Sequence, residues 1–380
     1  MVSRALHDAW WRLATQDRPA SLSDALAAGL LQAGSLAYRA AVGFRNGAYD
    51  RGWAKTVELP CAVVSVGNLT VGGAGKTTCV ELIVGRLTAA GRRVAVLSRG
   101  YGGRPGPYWL RWDRGRLTLN GGELADPGTV ADEPQLLARR LPGVPVIVGP
   151  SREATGQLAC REFGADTVVL DDGFQHRRVR RDCDIVLIHV RTPLAGFRWF
   201  PRGPMRESLT AVRRAHVAII TKADEALESV AALSERLRAI NPELEVLSAA
   251  HEPVALVDPL SGLTQDPKPL AGHGVGLVSS IGDPEGFEAT IRRLHASVVW
   301  HLAFPDHHRY QPADWDAIRR QVERRRPDAL VTTAKDWVRL APLLGRAEEP
   351  QVPLRVLQVR MAILEGSDRL DDRLARVSPR

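Results

Sequence analysis

The sequence is short of lysine. Only residues 55, 76, 222, 268 and 335 carry an ammonium group, although Lys and Arg together number 51 against 43 acids, a net charge of +8. The bias toward arginine reads as coding composition, so the positive balance alone singles out no partner. It suits nucleotides, nucleic acid or an anionic membrane surface alike. Cysteine is scarce too. Cys61, Cys79, Cys160 and Cys183 form no CxxC pair and have no histidine at zinc spacing. That argues against a disulfide framework and a metal knuckle, and fits a reducing cytosol. The N-terminus lacks a basic start, an apolar core and a small-residue cleavage site, so no signal peptide is expected. Internal repeats and long low-complexity tracts are missing. So is a clean spanning run: ALAAGLLQAGSLAYRAAVGF, from Ala25, is broken by Gln32, Ser35 and Arg39, whereas a spanning helix needs about twenty apolar residues.

What is present begins with length. A chain of 380 residues, 44% of them apolar, can bury a sizeable core and is expected to divide into domains. Residues 1–55 stand apart. Their apolar, helix-forming stretch is accompanied by Arg39, Arg45, Arg51 and Lys55 and by Trp10, Trp11, Tyr38 and Trp53. Basic and interfacial groups on a short apolar helix predict a segment lying on a membrane, with an ordinary packed helix and, least, a true span as the alternatives. From Pro60 onward, short β-rich runs recur: CAVVSVG, RVAVLSRG, VPVIVG, DTVVLDD, DIVLIHV and HVAIITKAD. Helical stretches such as 76–90 and 134–140 separate several of them. Continuous apolar strands divided by helices predict a parallel sheet covered on both faces.

The first of these runs leads into Thr70–Thr78, TVGGAGKTT. A strand, a glycine-rich turn and Lys-Thr opening a helix form the context of a phosphate-binding loop. Gly72, Gly73 and Gly75 allow backbone N–H groups to approach phosphates, with the helix N-terminus aimed at them. Lys76 is expected on the β- and γ-phosphates and Thr77 on magnesium; Thr70 stands where a glycine is usual. The fold class expected is therefore α/β of the P-loop NTPase type over residues 56–224. A smaller C-terminal α/β domain over 225–380 is expected to close the active-site cleft, with strands near GVGLVSS, ASVVWHLA, DALVTTA and LRVLQV.

Other strand ends carry chemistry. TVVL runs into Asp171 and Asp172, an acid pair at the carboxyl edge of a sheet, suited to the magnesium of a bound nucleotide. Which of the two takes the metal is left open. Asp132 and Glu133 precede Pro134 and fit a helix start, where the macrodipole stabilises acids. The functional alternative makes Asp132 the base that accepts a hydroxyl proton. Phe304–His308, FPDHH, ends a strand of the second domain and offers His307 or His308 to a cleft. SRGYGG at 98–103 follows another strand and offers Arg99 and Tyr101. HRRVRR at 176–181 is either a solvated face or part of an anionic-substrate surface. Thr221–Asp224, TKAD, resembles the guanine-reading element of GTPases, and Lys335-Asp336 is a further strand-end pair.

Taken in order, SVGNLTVGGAGKTT, LSRGYGG, DEP, DDGFQH, GPMRE, TKAD, FPDHHRY and TTAKD resemble the tetraacyldisaccharide 4'-kinases, the lipid A 4'-kinases, across residues 30–345. The resemblance implies a two-lobed P-loop kinase, peripheral or monotopic on the cytoplasmic face of the inner membrane. It implies transfer of the γ-phosphate of ATP, with Mg2+, to the 4'-hydroxyl of a tetraacylated glucosamine disaccharide 1-phosphate. By that likeness Thr70, Val71, Gly72, Gly73, Ala74, Gly75, Lys76, Thr77 and Thr78 hold the nucleotide, and Thr77, Asp171 and Asp172 hold the metal. Asp132 is the base and His307 its partner. Glu133, Arg99 and Tyr101 sit near the reacting groups, and Gln175 and His176 on the substrate side. Departures from the family pattern are Ala131 before DEP, Thr78 after GKT, Ala334 before KD, and no Gly-Asn ahead of GPMRE. No nucleic-acid partner and no obligate protein partner is expected. The alternative suggested by TKAD is a GTPase or metallochaperone-type nucleotide switch.

Overall fold

The computed structural model describes residues 21–100, 103–104, 106–124, 126–192, 198–306, 308–344 and 351–378. The chain forms two compact units. One gathers 1–99, 151–250 and 362–380; the other gathers 100–150 and 251–361. The chain therefore passes between units four times, where the sequence reading divides it linearly into 1–55, 56–224 and 225–380.

The first unit is built on parallel strands. In spatial order they are Glu245–Ala249, Val217–Thr221, Cys183–His189, Ala62–Asn68, Thr167–Asp171 and Val94–Ser98. Ala62–Asn68 is buried at every position, which is why it reads as a continuous apolar run rather than an alternating one. Its register sets Val66 opposite Asp171. The end of Thr167–Asp171 is thereby brought beside the turn that leaves Asn68. The helix Lys76–Ala89 follows that turn and buries Cys79, Val80, Ile83, Val84 and Leu87.

Phe174, four residues beyond Leu170, closes the core under this edge. It is fully buried in a cluster with Leu69, Val186, Met205 and Val212. The Arg214 guanidinium lies 3.9 Å from its ring centre. Gly67 is required here: a Cβ would come within 2.6 Å of the Phe174 Cβ and 2.7 Å of its backbone N.

The helix Leu22–Asp50 belongs to the same unit. At about 3.6 residues per turn, Ser35 and Val42 fall on one side and are buried, while Leu26, Leu30, Ala33, Ala37 and Phe44 fall on the other and are exposed. The buried side is fastened by polar groups. Ser35 Oγ donates to Trp199 O at 2.8 Å and accepts from Arg202 N at 2.9 Å. Asn46 Nδ2 donates to Glu207 Oε2 at 2.7 Å. Among the described residues no helix is long and apolar enough to cross a membrane.

The second unit has its own parallel set, Ser297–Ala303, Gly274–Ser279, Ala329–Thr333 and Leu354–Leu357 in that order. Val278, Phe304, Tyr310, Trp315 and Leu330 pack together beneath it. It also holds an antiparallel ribbon that the sequence reading does not contain: Tyr108–Asp113 pairs with both Val146–Val148 and Arg116–Leu119. The helices Asp132–Arg140 and Ala334–Leu344 pack on each other in this unit.

Because Phe174 is enclosed on all sides, Phe174→Ala should lose about 3–5 kcal/mol of unfolding free energy. Urea denaturation of the variant beside wild type measures this. A change below about 1 kcal/mol would mean the site collapses around the deleted ring.

Candidate active site

The glycine-rich turn adopts the conformation its residues permit. Gly72 has φ +105° and Gly75 φ +81°, values that favour glycine. Gly75 is the N-cap of Lys76–Ala89, and no side chain caps that helix. Its first N–H groups and the positive end of its dipole are left to an anion. The start of the turn is braced by GPMRE: Val71 N donates to Pro204 O at 2.8 Å and Arg206 N to Leu69 O at 2.8 Å. Thr70, in the place of the usual glycine, bridges to Met205 there.

Lys76 Nζ lies 3.3 Å from Asn68 Oδ1 and 3.5 Å from Asp172 Oδ1. Arg206 Nη1 contacts both oxygens of Asp172 at 2.9 Å. Asp172 has φ +53°, a left-handed geometry that costs a non-glycine residue free energy and that functional sites tend to retain. Burial works against its charged form, but Lys76 and Arg206 outweigh it and hold the carboxyl below its ordinary range. Asp171 is turned elsewhere, its Oδ2 accepting Ser98 Oγ at 3.1 Å and its backbone O accepting Arg152 Nη2 at 2.8 Å. In donor chemistry Thr77, Asp171 and the ionised Asp172 are the hard oxygens that magnesium takes, although here Asp172 is engaged by Arg206 and Lys76 and Asp171 by Ser98.

The substrate-side expectations divide. Gln175 Nε2 is committed to Asn68 O at 2.9 Å. Arg99 Nη2 and His176 Nδ1 are 3.2 Å apart. Burial, with Arg152, Arg99, Arg181 and Arg178 nearby, pushes His176 down to about 4; its neutral ring then accepts from the guanidinium. HRRVRR is largely occupied: Arg177 pairs with Asp50, Arg178 with Glu153, Arg180 with Glu58 and Arg181 with Asp184. Lys222 of TKAD has φ +55° and lies 3.6 Å from Glu225. Tyr101, His307, Trp10 and Trp11 lie outside the described residues.

In the second unit, Asp132 and Glu133 open the helix Asp132–Arg140, with Ala131 as a cap that has no side-chain hydrogen bond. Asp132 does not cap the helix either. Its Oδ2 takes Arg339 Nε at 2.7 Å, and Glu133 Oε1 lies 3.3 Å from Lys335 Nζ, which also approaches Asp306 at 3.4 Å. Of the adjacent histidines, His308 is engaged, with Nε2 2.8 Å from Asp314 and its ring stacked on Phe304. Sequence reasoning missed roles for Asn68, Arg206 and Arg339. Arg206 stands inside GPMRE and was within reach; Arg339 stands in no motif, and only its i,i+4 spacing from Lys335 marks it.

The parallel sheet, the uncapped helix after a glycine turn, and the lysine–aspartate pair at the strand edge define an α/β P-loop enzyme of phosphoryl transfer. A profile described as tetraacyldisaccharide-1-P 4'-kinase, LpxK, matches residues 27–378. The chain belongs to that family. It is 40% identical over 370 residues to the tetraacyldisaccharide 4'-kinase of Anaeromyxobacter dehalogenans strain 2CP-C, covering 96% of this chain and 93% of that one. It is 40% identical over 342 residues to the enzyme of the same name from Syntrophus aciditrophicus, covering 88% and 89%. LpxK from Aquifex aeolicus, solved in complex with ATP, superposes with a TM-score of 0.70 at 27% identity over 92% of this chain and 99% of that one.

His176 gives a pH prediction. Its folded value near 4 lies below the ordinary 6.5, so its contribution to stability is complete above pH 6.5 and falls away toward pH 4, where the unfolded chain takes up the proton first. His176→Gln should therefore lose Tm less steeply than wild type across that window. Equal slopes in thermal melts would mean the folded protein protonates His176 as readily as the unfolded chain does.

Proposed function

We propose that the protein transfers the γ-phosphoryl group of ATP to the 4'-hydroxyl of a tetraacyl disaccharide 1-phosphate at the cytoplasmic surface of the inner membrane. The reading is carried by Lys76 set beside Asp172 at the P-loop of a chain that matches the 4'-kinase family almost end to end. The acceptor oxygen forms its bond to the γ-phosphorus as the bond to the bridging oxygen breaks, and ADP leaves. Lys76 and the amides of the glycine turn receive the charge that develops on the phosphate oxygens. Thr77, Asp171 and Asp172 would hold magnesium, which when bound would supply further neutralisation of those oxygens. Asp132 takes the proton of the 4'-hydroxyl, with His307 as its expected partner and Glu133 beside it.

An acylated acceptor has to be met at a lipid surface. The exposed side of Leu22–Asp50, with Leu26, Leu30 and Phe44 each at least 66% exposed and Trp53 beyond its end, fits a helix lying in the interface. Burying each of those large side chains in lipid is favourable by about 1.5–3 kcal/mol.

The test is transfer of labelled γ-phosphate from ATP to tetraacyldisaccharide 1-phosphate in detergent micelles, wild type beside Asp132→Asn and Lys76→Ala. Label should appear in the lipid with wild type, fall on the order of 10²–10⁴-fold without the base, and vanish without the lysine. Hydrolysis of GTP in preference to ATP, with no lipid labelled, would replace the kinase with the nucleotide switch. Sedimentation with anionic vesicles tests the helix. Leu30→Glu with Phe44→Glu should lower the bound fraction on the order of 10-fold or more, and undiminished binding would sink the interfacial assignment.

A further inference from the structure

Arg339 is far more deeply buried than the acid it meets. Its side chain is 3% exposed, whereas that of Asp132 is 34% exposed. Behind it lies a network fixed at every point. Asp336 is fully buried. Its Oδ1 accepts Ser280 N at 2.9 Å, Ser280 Oγ at 2.5 Å and Tyr310 Oη at 3.1 Å, while its Oδ2 accepts Thr333 Oγ1 at 2.7 Å. Ser280 passes the network on, since its Oγ accepts Arg339 Nη1 at 2.6 Å and its backbone O accepts the same nitrogen at 3.3 Å. Arg339 Nη1 is also 3.8 Å from Asp336 Oδ1. The guanidinium is planar and rigid. Once Nη1 is seated on Ser280, the direction of Nε is set, and Nε is the group that meets Asp132 Oδ2 at 2.7 Å.

We propose that Arg339 is a positioning residue for Asp132. Anchored through Ser280 to Asp336, it fixes the carboxylate by one oxygen and leaves the other, Oδ1, to receive the proton of the acceptor hydroxyl. The inference rests on Asp132 being the base. A carboxylate at the first position of a helix, a third exposed and with no anchor, would rotate freely about its last torsion. Orientation is what the arginine supplies, and small misplacements of a reacting group lower rates on the order of 10²-fold. Lys335, one helical turn away, does not duplicate this: it is shared between Glu133 and Asp306.

The measurement is kcat and KM for ATP in lipid phosphorylation, scaled to sites titrated with nucleotide, for Arg339→Met, Arg339→Lys, Asp132→Asn and the double variant Arg339→Met/Asp132→Asn. Arg339→Met should lower kcat on the order of 10–10²-fold with KM for ATP unchanged. Arg339→Lys, which keeps the charge, should recover part of the loss. On the Asp132→Asn background Arg339→Met should change nothing further. If Arg339→Met does not fold, Ser280→Ala takes its place, since it removes the hydroxyl that seats the guanidinium and keeps both charges; the same outcomes are read from it. Full turnover by Asp132→Asn overturns the base reading and this inference with it. Impaired Asp132→Asn with an unimpaired Arg339 variant overturns only the inference and leaves the base in place. An undiminished Arg339 effect on the Asp132→Asn background also overturns it, because Arg339 would then act by another route.

Discussion

One carboxylate holds the phosphate-binding side of this protein together. Asp172 sits between two cations from distant parts of the chain, Lys76 of the glycine turn and Arg206 of GPMRE, in a backbone conformation it would not choose alone. The geometry persists because three constraints agree. The parallel register places the end of Thr167–Asp171 beside Val66, Phe174 pins the following turn into the core, and Gly67 leaves room for that ring. A half-buried acid with two cationic neighbours stays ionised, which suits the role proposed for it beside a divalent cation and a triphosphate. Lys76 also spans Asn68 and Asp172, so the lysine is held near the turn rather than left to wander.

The second unit solves a related problem differently. Asp132 and Glu133 sit where a helix dipole already favours acids, and a neighbouring helix lays Arg339 and Lys335 against them at i,i+4 spacing. What differs is the depth of the anchor. Arg339 is rooted in a buried aspartate that accepts from two serine groups, a tyrosine and a threonine, whereas Lys335 is shared between two more exposed acids. The Arg339 guanidinium is held through Nε by Asp132 and through Nη1 by Ser280, while its buried Nη2 has no partner among the described residues; removing one partner of such a buried pair is strongly destabilising. Asp336, at the end of a strand in TTAKD, is therefore a structural acid, although the sequence presents it beside Lys335 as one pair.

Local patterns were legible and distant ones were not. The parallel strands of the first unit, such as Ala62–Asn68, Val94–Ser98, Thr167–Asp171 and Val217–Thr221, announce themselves because each is buried along its length and reads as an unbroken apolar run. The phosphate loop is legible because its function depends on residues contiguous in the chain. The ribbon built on Tyr108–Asp113 escaped because its strands are short, partly exposed and rich in arginine and tryptophan, with no alternation to follow. Two units woven from separated segments cannot be read from a composition that changes only gradually along the chain. Arg339 escaped for the plainest reason: its partner is 207 residues away, and no local spacing encodes a contact of that range. HRRVRR was legible as charge but not as role, since counting arginines does not reveal that carboxylates already meet several of them.

The segment GPMRE joins two tasks in consecutive residues. Arg206 grips Asp172 at the phosphate edge. Glu207, side chain 2% exposed, takes Asn46 and Arg45 of the N-terminal helix together with Arg214, and Arg214 in turn lies over Phe174. The helix with the exposed apolar stripe is thus fastened to the same short stretch of backbone that braces the start of the glycine turn. If the helix lies at the lipid surface as proposed, such rigidity would keep that surface and the turn that meets the phosphates at a fixed distance. A loosely tethered amphipathic helix would bind lipid equally well. A helix fixed by buried polar contacts would in addition meet that surface in a defined orientation relative to the glycine turn.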